Sequence, residues 1–409
     1  MKKINWISGI KGICAIIVLL RHFANAFLPA LHTGNIADTK FFWRGFSIEN
    51  IVNNSPLYLL INGGYVVYIF WLISAFLLSF YYFSYENDNL QMAKKAIKRY
   101  VGLLFIILVT YLMAYFLMKG NFFYNIYAGK VSNSEWFCGF YNWNPSFLQV
   151  LQSLFLDTFL TANVPFNPVL WTLKVEFLGT LLEIFLLIMF SKLKNMKAII
   201  CIVAIFLIYA FPLPYLCFVI GIILGKAYKT IKRNKTRKYN LIGCILLIVS
   251  IYGGGYPSDF DPEGKIYGWI PTHIYIWDTR TLIYIFSGSF FLIGVMLFEI
   301  SEKVFENNLF LFIGKYSTEI YMSHFILECS IVAFVFLKIN NLQVGYFTNV
   351  MIALIIEIIC VMVVSIVLSK LNQYYKLWIN NKINIWIKES VMKWKNLFLC
   401  QNMQECVKI

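Results

Sequence analysis

The chain is short of charge. Asp, Glu, Lys and Arg make up only 13% of its 409 residues, roughly half the share of a soluble protein. That shortage, beside 60% apolar residues, excludes an ordinary soluble globule. Acidic residues are the scarcer: 20 against 35 basic ones, for a net charge of +15. In a soluble chain such an excess points to nucleic acid. Here apolar runs recur from end to end, so the excess reads as the Lys and Arg of cytoplasmic loops, and no nucleic-acid partner is expected. Other absences narrow the chemistry. No CxxC occurs among the nine cysteines, and six of them (Cys14, Cys201, Cys217, Cys244, Cys329, Cys360) fall in apolar runs as small hydrophobes. Only Cys138 falls in an expected exterior loop, so no disulfide framework is expected. There is no HExxH or paired-Cys motif, hence no expected metal, and no phosphate-loop, dinucleotide or nucleophile-elbow motif in a suitable context. No repeat of fixed period stands out, and no soluble domain is expected at either end. The opening MKKINWISGI is basic, then apolar, but no clean cleavage site follows, so it reads as an uncleaved first span.

What is present is a succession of long apolar runs. They predict an all-α polytopic membrane helix bundle of about ten spans, placed at 10–28, 57–83, 100–118, 169–190, 197–211, 214–227, 240–252, 281–298, 308–337 and 347–369. An aromatic content of 18% suits interfacial Trp and Tyr belts. Basic residues gather at Lys2 and Lys3, at Lys94, Lys95, Lys98 and Arg99, at Lys192, Lys194 and Lys197, and at Lys226, Lys229, Lys232, Arg233, Lys235, Arg237 and Lys238. Lys376, Lys382, Lys388, Lys393 and Lys395 follow in the tail. In a ten-span chain all of these fall on one side, which the positive-inside rule makes cytoplasmic, with both termini. The acidic stretch at Glu299, Glu302 and Glu306 runs against the pattern, but acids weigh little in that rule. Residues 29–56, 119–168, 253–280 and 338–346 then face outward. The second of these, rich in Asn, Trp, Tyr and Phe, is too long for a plain connector and reads as an acceptor-binding surface or a packed cap.

Ionisable groups inside the apolar runs are costly and point to function. In KGICAIIVLLRH, Lys11 and His22 are eleven residues apart, about three helical turns, so they share one face separated by ~16 Å of rise. Arg21 lies about a quarter turn away. Lys11 either snorkels to the interface or binds a ligand. His22 is either a neutral imidazole bonded within the bundle or a reacting group. In NPVLWTLKVEF, Glu176 shares a stripe with Thr172, Thr180 and Glu183 and needs a wet cavity or a partner such as Lys174 or Arg21. In IGKYSTEIYMSHFILE, Lys315 can pair with Glu319, and His324 stands four residues before Glu328. His22, Glu176 and His324 fall at similar depths, which suggests one polar cavity in the outer half. His32 and His273 read as surface residues.

These segments resemble the acyltransferase-3 family, integral-membrane enzymes that O-acylate bacterial surface glycans. Four stretches carry the resemblance in the family's order: GIKGICAIIVLLRHF, GYVVYIFWLISAFLLS, NPVLWTLKVEF and IGKYSTEIYMSHF. Three departures stand out. Lys11 replaces the family's usual Arg, losing a planar fork suited to phosphate. Ala75 replaces a usual Gly. KKAIKRYVG keeps Lys95, Lys98 and Arg99 of a basic cluster but lacks its proline. The resemblance implies a membrane acyltransferase unit over 1–372, a basic cytoplasmic tail over 373–409, and a bacterial cytoplasmic-membrane location among membrane lipids. It also implies acetyl-CoA or another acyl-CoA as donor, and a glycan or lipid-linked sugar hydroxyl as acceptor. Lys11, Lys95, Lys98 and Arg99 would meet the donor's phosphates, and Ser74 would line the donor path or bond its own backbone. His22 would act as general base, or be transiently acylated. Glu176 would orient an imidazole or bind sugar, and His324 would bind the acceptor or orient groups. Two rivals stay open: a proton-coupled transporter of a small polar solute, and a non-catalytic glycan-binding subunit.

Overall fold

Backbone N–H and C=O groups cannot go unpaired in lipid, so apolar runs of this length fold as helices that satisfy themselves. The computed structural model describes residues 4–43, 46–84, 89–192, 195–210, 213–233, 236–274 and 277–406. Lys2, Lys3, Lys194 and Lys235, part of the basic pattern, lie outside the described residues. Ten principal helices follow one another: α1 (Asn5–Phe27), α2 (Gly63–Ser84), α3 (Asn89–Lys119), α4 (Thr172–Lys192), α5 (Met196–Tyr209), α6 (Leu216–Arg233), α7 (Arg237–Gly254), α8 (Thr279–Leu297), α9 (Ser317–Asn340) and α10 (Tyr346–Cys406). Each expected span coincides with one of them, so the all-α polytopic bundle is what forms. The number that cross is a separate matter. Among the described residues, seven helices are long and apolar enough to span a membrane. The other three are α4, which carries Lys174, Glu176 and Glu183, α5, which is short, and α7, which opens on Arg237 and Lys238.

Two boundaries differ from expectation. The run 308–337 is not one helix: Asn308–Lys315 ends before α9 begins. The break follows from a close crossing. A Cβ on Gly314 would stand 1.9 Å from the Ser8 carbonyl oxygen, and one on Gly12 2.6 Å from the Gly314 nitrogen. Only glycine lets the two backbones approach this closely, and Ser317 Oγ caps the Gly314 carbonyl at the break (3.1 Å). At the other end, α10 runs unbroken past residue 372, so 372 marks a change of composition, not the end of an element.

The α2–α6 seam is a second close crossing. The Cβ of a residue at 221 would lie 2.3 Å from the Ala75 Cβ, and Gly225 faces Ser79 in the same way. Asn62 anchors the start of α2. Its amide donates to the Gly254 and Tyr256 carbonyls (both 2.7 Å) and its oxygen accepts from the Tyr65 N–H (3.0 Å). Two short hairpins, with Phe42 opposite Ser47 and His273 opposite Asp278, are the strand pairs of the described residues.

Residues 120–168 form a cap. It is pinned to the end of α1 by Ser132 Oγ on the Ala26 carbonyl (2.6 Å) and Ser134 Oγ on the Asn25 carbonyl (2.7 Å), which satisfies carbonyls a helix end leaves orphaned. Asn167 donates to the Met322 carbonyl of α9 (2.7 Å). Four non-glycine residues of the cap, Asn121, Asn133, Tyr141 and Ala162, have φ between 56° and 64°. Such backbone persists where surrounding contacts hold it, and it clusters at functional regions.

Candidate active site

α1 and α9 cross so that His22 and His324 meet. His324 Nε2 lies 3.1 Å from His22 Nδ1, with ring centroids 5.0 Å apart. The tautomers follow from the partners. The Val18 carbonyl, 2.9 Å from His22 Nδ1, can only accept, so His22 carries its proton on Nδ1. The Ile320 carbonyl, 3.1 Å from His324 Nδ1, fixes that proton likewise. His324 Nε2 is therefore a bare lone pair facing the His22 N–H, and His22 Nε2 is a second lone pair that no described residue bonds. His324 is fully buried and His22 half-buried. The His22 ring is walled by Trp136 (5.9 Å between centroids) and Phe325 (5.3 Å). Trp136 belongs to the cap, which thus roofs the histidine pair.

Glu176 is elsewhere. Its carboxylate accepts from Ser74 Oγ (2.5 Å) and pairs with Arg99, which also donates to Ser74. One turn and a half further along, Ser79 Oγ donates to the fully buried Glu183 (2.6 Å). The stripe on α4 thus meets serines of α2 and an arginine of α3, not an imidazole. The partner of Glu176 is thus Arg99, and neither Lys174 nor Arg21. Glu319 accepts from Asn372 (3.0 Å).

Glu176, Ser74 and Arg99 line a cavity of about 680 Å³, within the range of ligand pockets. Its walls also bring in Lys11, Lys95, Lys98 and Lys376, five cationic side chains against a single carboxylate. Between them lie the apolar and aromatic surfaces of Phe70, Trp71 and Tyr81. Lys95 stacks over the Tyr81 ring, and burial pushes its ammonium pKa down to about 8. The cavity ends at Tyr321 and Met322 on α9 and does not include His324 or His22. Tyr321 is fixed there: its hydroxyl donates to the Val169 carbonyl (2.7 Å) and accepts from Thr172 (2.8 Å). Its ring centroid lies 6.2 Å from that of His324. All five residues expected at the donor, Lys11, Ser74, Lys95, Lys98 and Arg99, share this space, while the histidines lie just beyond its inner wall. No group of three metal-ligating side chains occurs among the described residues.

A family model described as an acyltransferase domain matches residues 4–370. The chain belongs to this acyltransferase family. It matches no curated protein and no solved structure. The match ends before Lys376, so this cavity is completed by a residue outside the matched region. Lys376 follows Tyr375, whose ring stacks on Phe105 (4.8 Å) and whose hydroxyl donates to the Val101 carbonyl (3.0 Å). That clamp holds α10 against α3. The signal for Lys376 was helical phase, and assigning it to a tail hid it.

A second cluster that the sequence did not assemble lies near the pair. Arg21 forms an ion pair with Asp259 and donates to the Leu31 carbonyl (3.1 Å). His32 Nδ1 lies 3.5 Å from the same Asp259 carboxylate, and its ring 5.9 Å from Trp136. Burial, then repulsion from Arg21, lowers the His32 pKa to about 4. His32 is thus part of a polar cluster near the histidine pair, whereas His273 is exposed as a surface residue. Nothing in the spacing of residues 32, 136 and 259 signals their meeting.

Proposed function

We propose that this acyltransferase moves an acyl group, acetyl in the first instance, from cytoplasmic acyl-CoA to a hydroxyl of a cell-surface or lipid-linked glycan, within a bacterial cytoplasmic membrane. The observation that carries the reading is the His22–His324 pair, with one bare nitrogen left on His22. In the proposed reaction His22 Nε2 takes the proton of the acceptor hydroxyl as its oxygen bonds the thioester carbonyl carbon. The carbon–sulfur bond then breaks, and the departing thiolate takes that proton from His22 Nε2. Charge forming on His22 is stabilised through Nδ1–H by Val18 O and by the lone pair of His324. His324 so acts on the reaction through His22.

The donor side is supported by the cavity's chemistry. Lys11, Lys95, Lys98 and Lys376 suit phosphates, Arg99 is held in place by Glu176 and Ser74, and the aromatic walls suit a nucleobase and an acyl arm. A thioester has to pass the Tyr321 wall to reach His22, which makes that wall part of the proposed path. The test is purified protein with labelled acetyl-CoA and surface glycan. Glycan-dependent release of coenzyme A that is lost in His22→Ala supports transfer. Accumulation of solute in vesicles without coenzyme A release would instead support a transporter.

A further inference from the structure

We infer that the cap carries a carbohydrate-binding cleft, separate from the histidine pair and built by Trp143, Gln149, Gln152, Ser153, Asp157 and Asn163. The cleft is about 360 Å³, room enough for a small ligand. It lies on the face of the bundle away from Lys95 and Lys98, because α3 runs from that cationic end to the cap. What marks it is one buried acid set among exposed amides and a half-buried indole. Asp157 is only 9% exposed, and among the described residues its carboxylate makes no hydrogen bond or ion pair. The residue is deeply set, and its carboxylate opens onto the cleft, where it can accept from a ligand's donors. The exposed side-chain amides of Gln152 and Asn163 and the half-buried indole N–H of Trp143 make no hydrogen bond among the described residues, so they can exchange water for a ligand. Gln149 uses its oxygen to bond Ser146 (2.8 Å to the backbone N–H), leaving its NH₂.

Local structure explains why Asp157 faces this way. Residues Ser153–Asp157 make one wide turn in an otherwise α-helical stretch, Phe147–Leu160. Such turns recur at functional sites and re-aim the side chains after them. Ala162 closes the rim at φ 64°, and the Asp157 carbonyl accepts from its N–H (2.8 Å). The Trp143 ring is held edge-on by Phe166 at 5.3 Å.

An indole face beside one carboxylate and three planar amides is a saccharide-binding set. The ring stacks on the C–H face of a pyranose, and the carboxylate and amides bond vicinal hydroxyls. Among the described residues no cationic side chain lines the cleft, so phosphate and nucleotide ligands are disfavoured, in contrast to the donor cavity. Phe147, Leu148, Phe155, Leu156 and Leu160 on the same stretch are exposed, as on a helix lying in the membrane interface. The cleft therefore sits at the level of the membrane surface. It deepens the acceptor side of the proposed function and rests on that reading for its part in transfer.

The experiment measures binding by calorimetry with the full chain in lipid nanodiscs, since maltoside detergents carry a competing sugar. The probes are maltoheptaose and chitopentaose in solution, and dodecyl maltoside doped into the disc as the lipid-borne source. Expected is saturable binding of at least one probe, weakened 10-fold or more by Asp157→Asn and Trp143→Ala. The exposed Gln152→Ala should weaken it 2- to 5-fold, with the exposed, distant Phe286→Ala binding as the parent protein does. Preference for the doped over the soluble sugars identifies a lipid-linked ligand, and the reverse a free glycan chain. The cleft is overturned if no probe binds, if all three cleft variants bind like the parent, or if Asp157→Asn removes only calcium binding. Binding without any acyl transfer leaves the cleft standing and removes the acyltransferase reading. Transfer with no saccharide binding at the cleft does the opposite.

Discussion

Replacing His324 by Ala tests how the histidine pair works. The His324 Nε2 lone pair accepts from the His22 N–H at 3.1 Å. In the resting state that is a neutral hydrogen bond, worth ~0.5–1.5 kcal/mol, and when His22 gains a proton it becomes charge-assisted, worth ~1.5–3 kcal/mol. Only the difference between the two, about 1.2 kcal/mol at mid-range, is felt in the transition state, which amounts to roughly an eightfold fall in kcat. Val18 O still holds the His22 tautomer at 2.9 Å, so the loss should not go further. His22→Ala removes the base itself and should cost about 10²–10⁴-fold. The double variant should be no worse than His22→Ala, because His324 has nothing left to stabilise. The assay is thiol release from acetyl-CoA with glycan present, at several donor concentrations, so that kcat and KM separate. If His324→Ala equals or exceeds His22→Ala, His324 is the base; if the two losses multiply, His324 acts independently of His22; either outcome overturns the order proposed above.

Four further outcomes are expected. Lys376→Glu should raise the KM for acetyl-CoA tenfold or more with kcat little changed, since the residue lines the donor cavity and not the histidine pair; an unchanged KM removes α10 from the donor site. Lys95, with its pKa lowered to about 8, is charged at pH 7 and mostly neutral at pH 9. Donor affinity should therefore fall as pH rises through that window, and Lys95→Arg should flatten the profile. Glu176→Gln leaves Arg99 without its ion-pair partner and should lower stability by ~1–3 kcal/mol, read as the melting midpoint in detergent; no shift would mean that solvent replaces the carboxylate. Gly314→Ala forces a Cβ to within 1.9 Å of the Ser8 carbonyl oxygen, so α1 must move. A loss of ~1–3 kcal/mol with lower kcat is expected, and full activity would show that the crossing tolerates it.

Helix positions were legible because lipid leaves a chain few options, and the apolar runs mark them. The number of crossings was less so, since α4 carries charges that only its serine and arginine neighbours make tolerable. Lys11 and His22 were read from one helix, where 3.6-residue phase suffices. That His22 meets His324, while Glu176 meets Arg99, depends on how α1, α2, α3, α4 and α9 cross, and depth along a span says nothing about rotation around it. Asp259 and His32 come from separate loops, and only the fold brings them together. Lys376 was hidden by the assumption that a helix ends where its apolar run does.

The pairing of Ala75 with Gly221 shows where a motif's requirement resides. Two backbones need a gap the size of one hydrogen atom at their meeting point, and either chain segment can supply it. Here Gly221 supplies it, opposite the Ala75 methyl. Restoring glycine at 75 alone would open a void, and adding a methyl at 221 alone would wedge the segments apart, while exchanging both should leave the seam intact. Letter-by-letter comparison of one segment scores this as a defect, although the pair of segments has kept its fit.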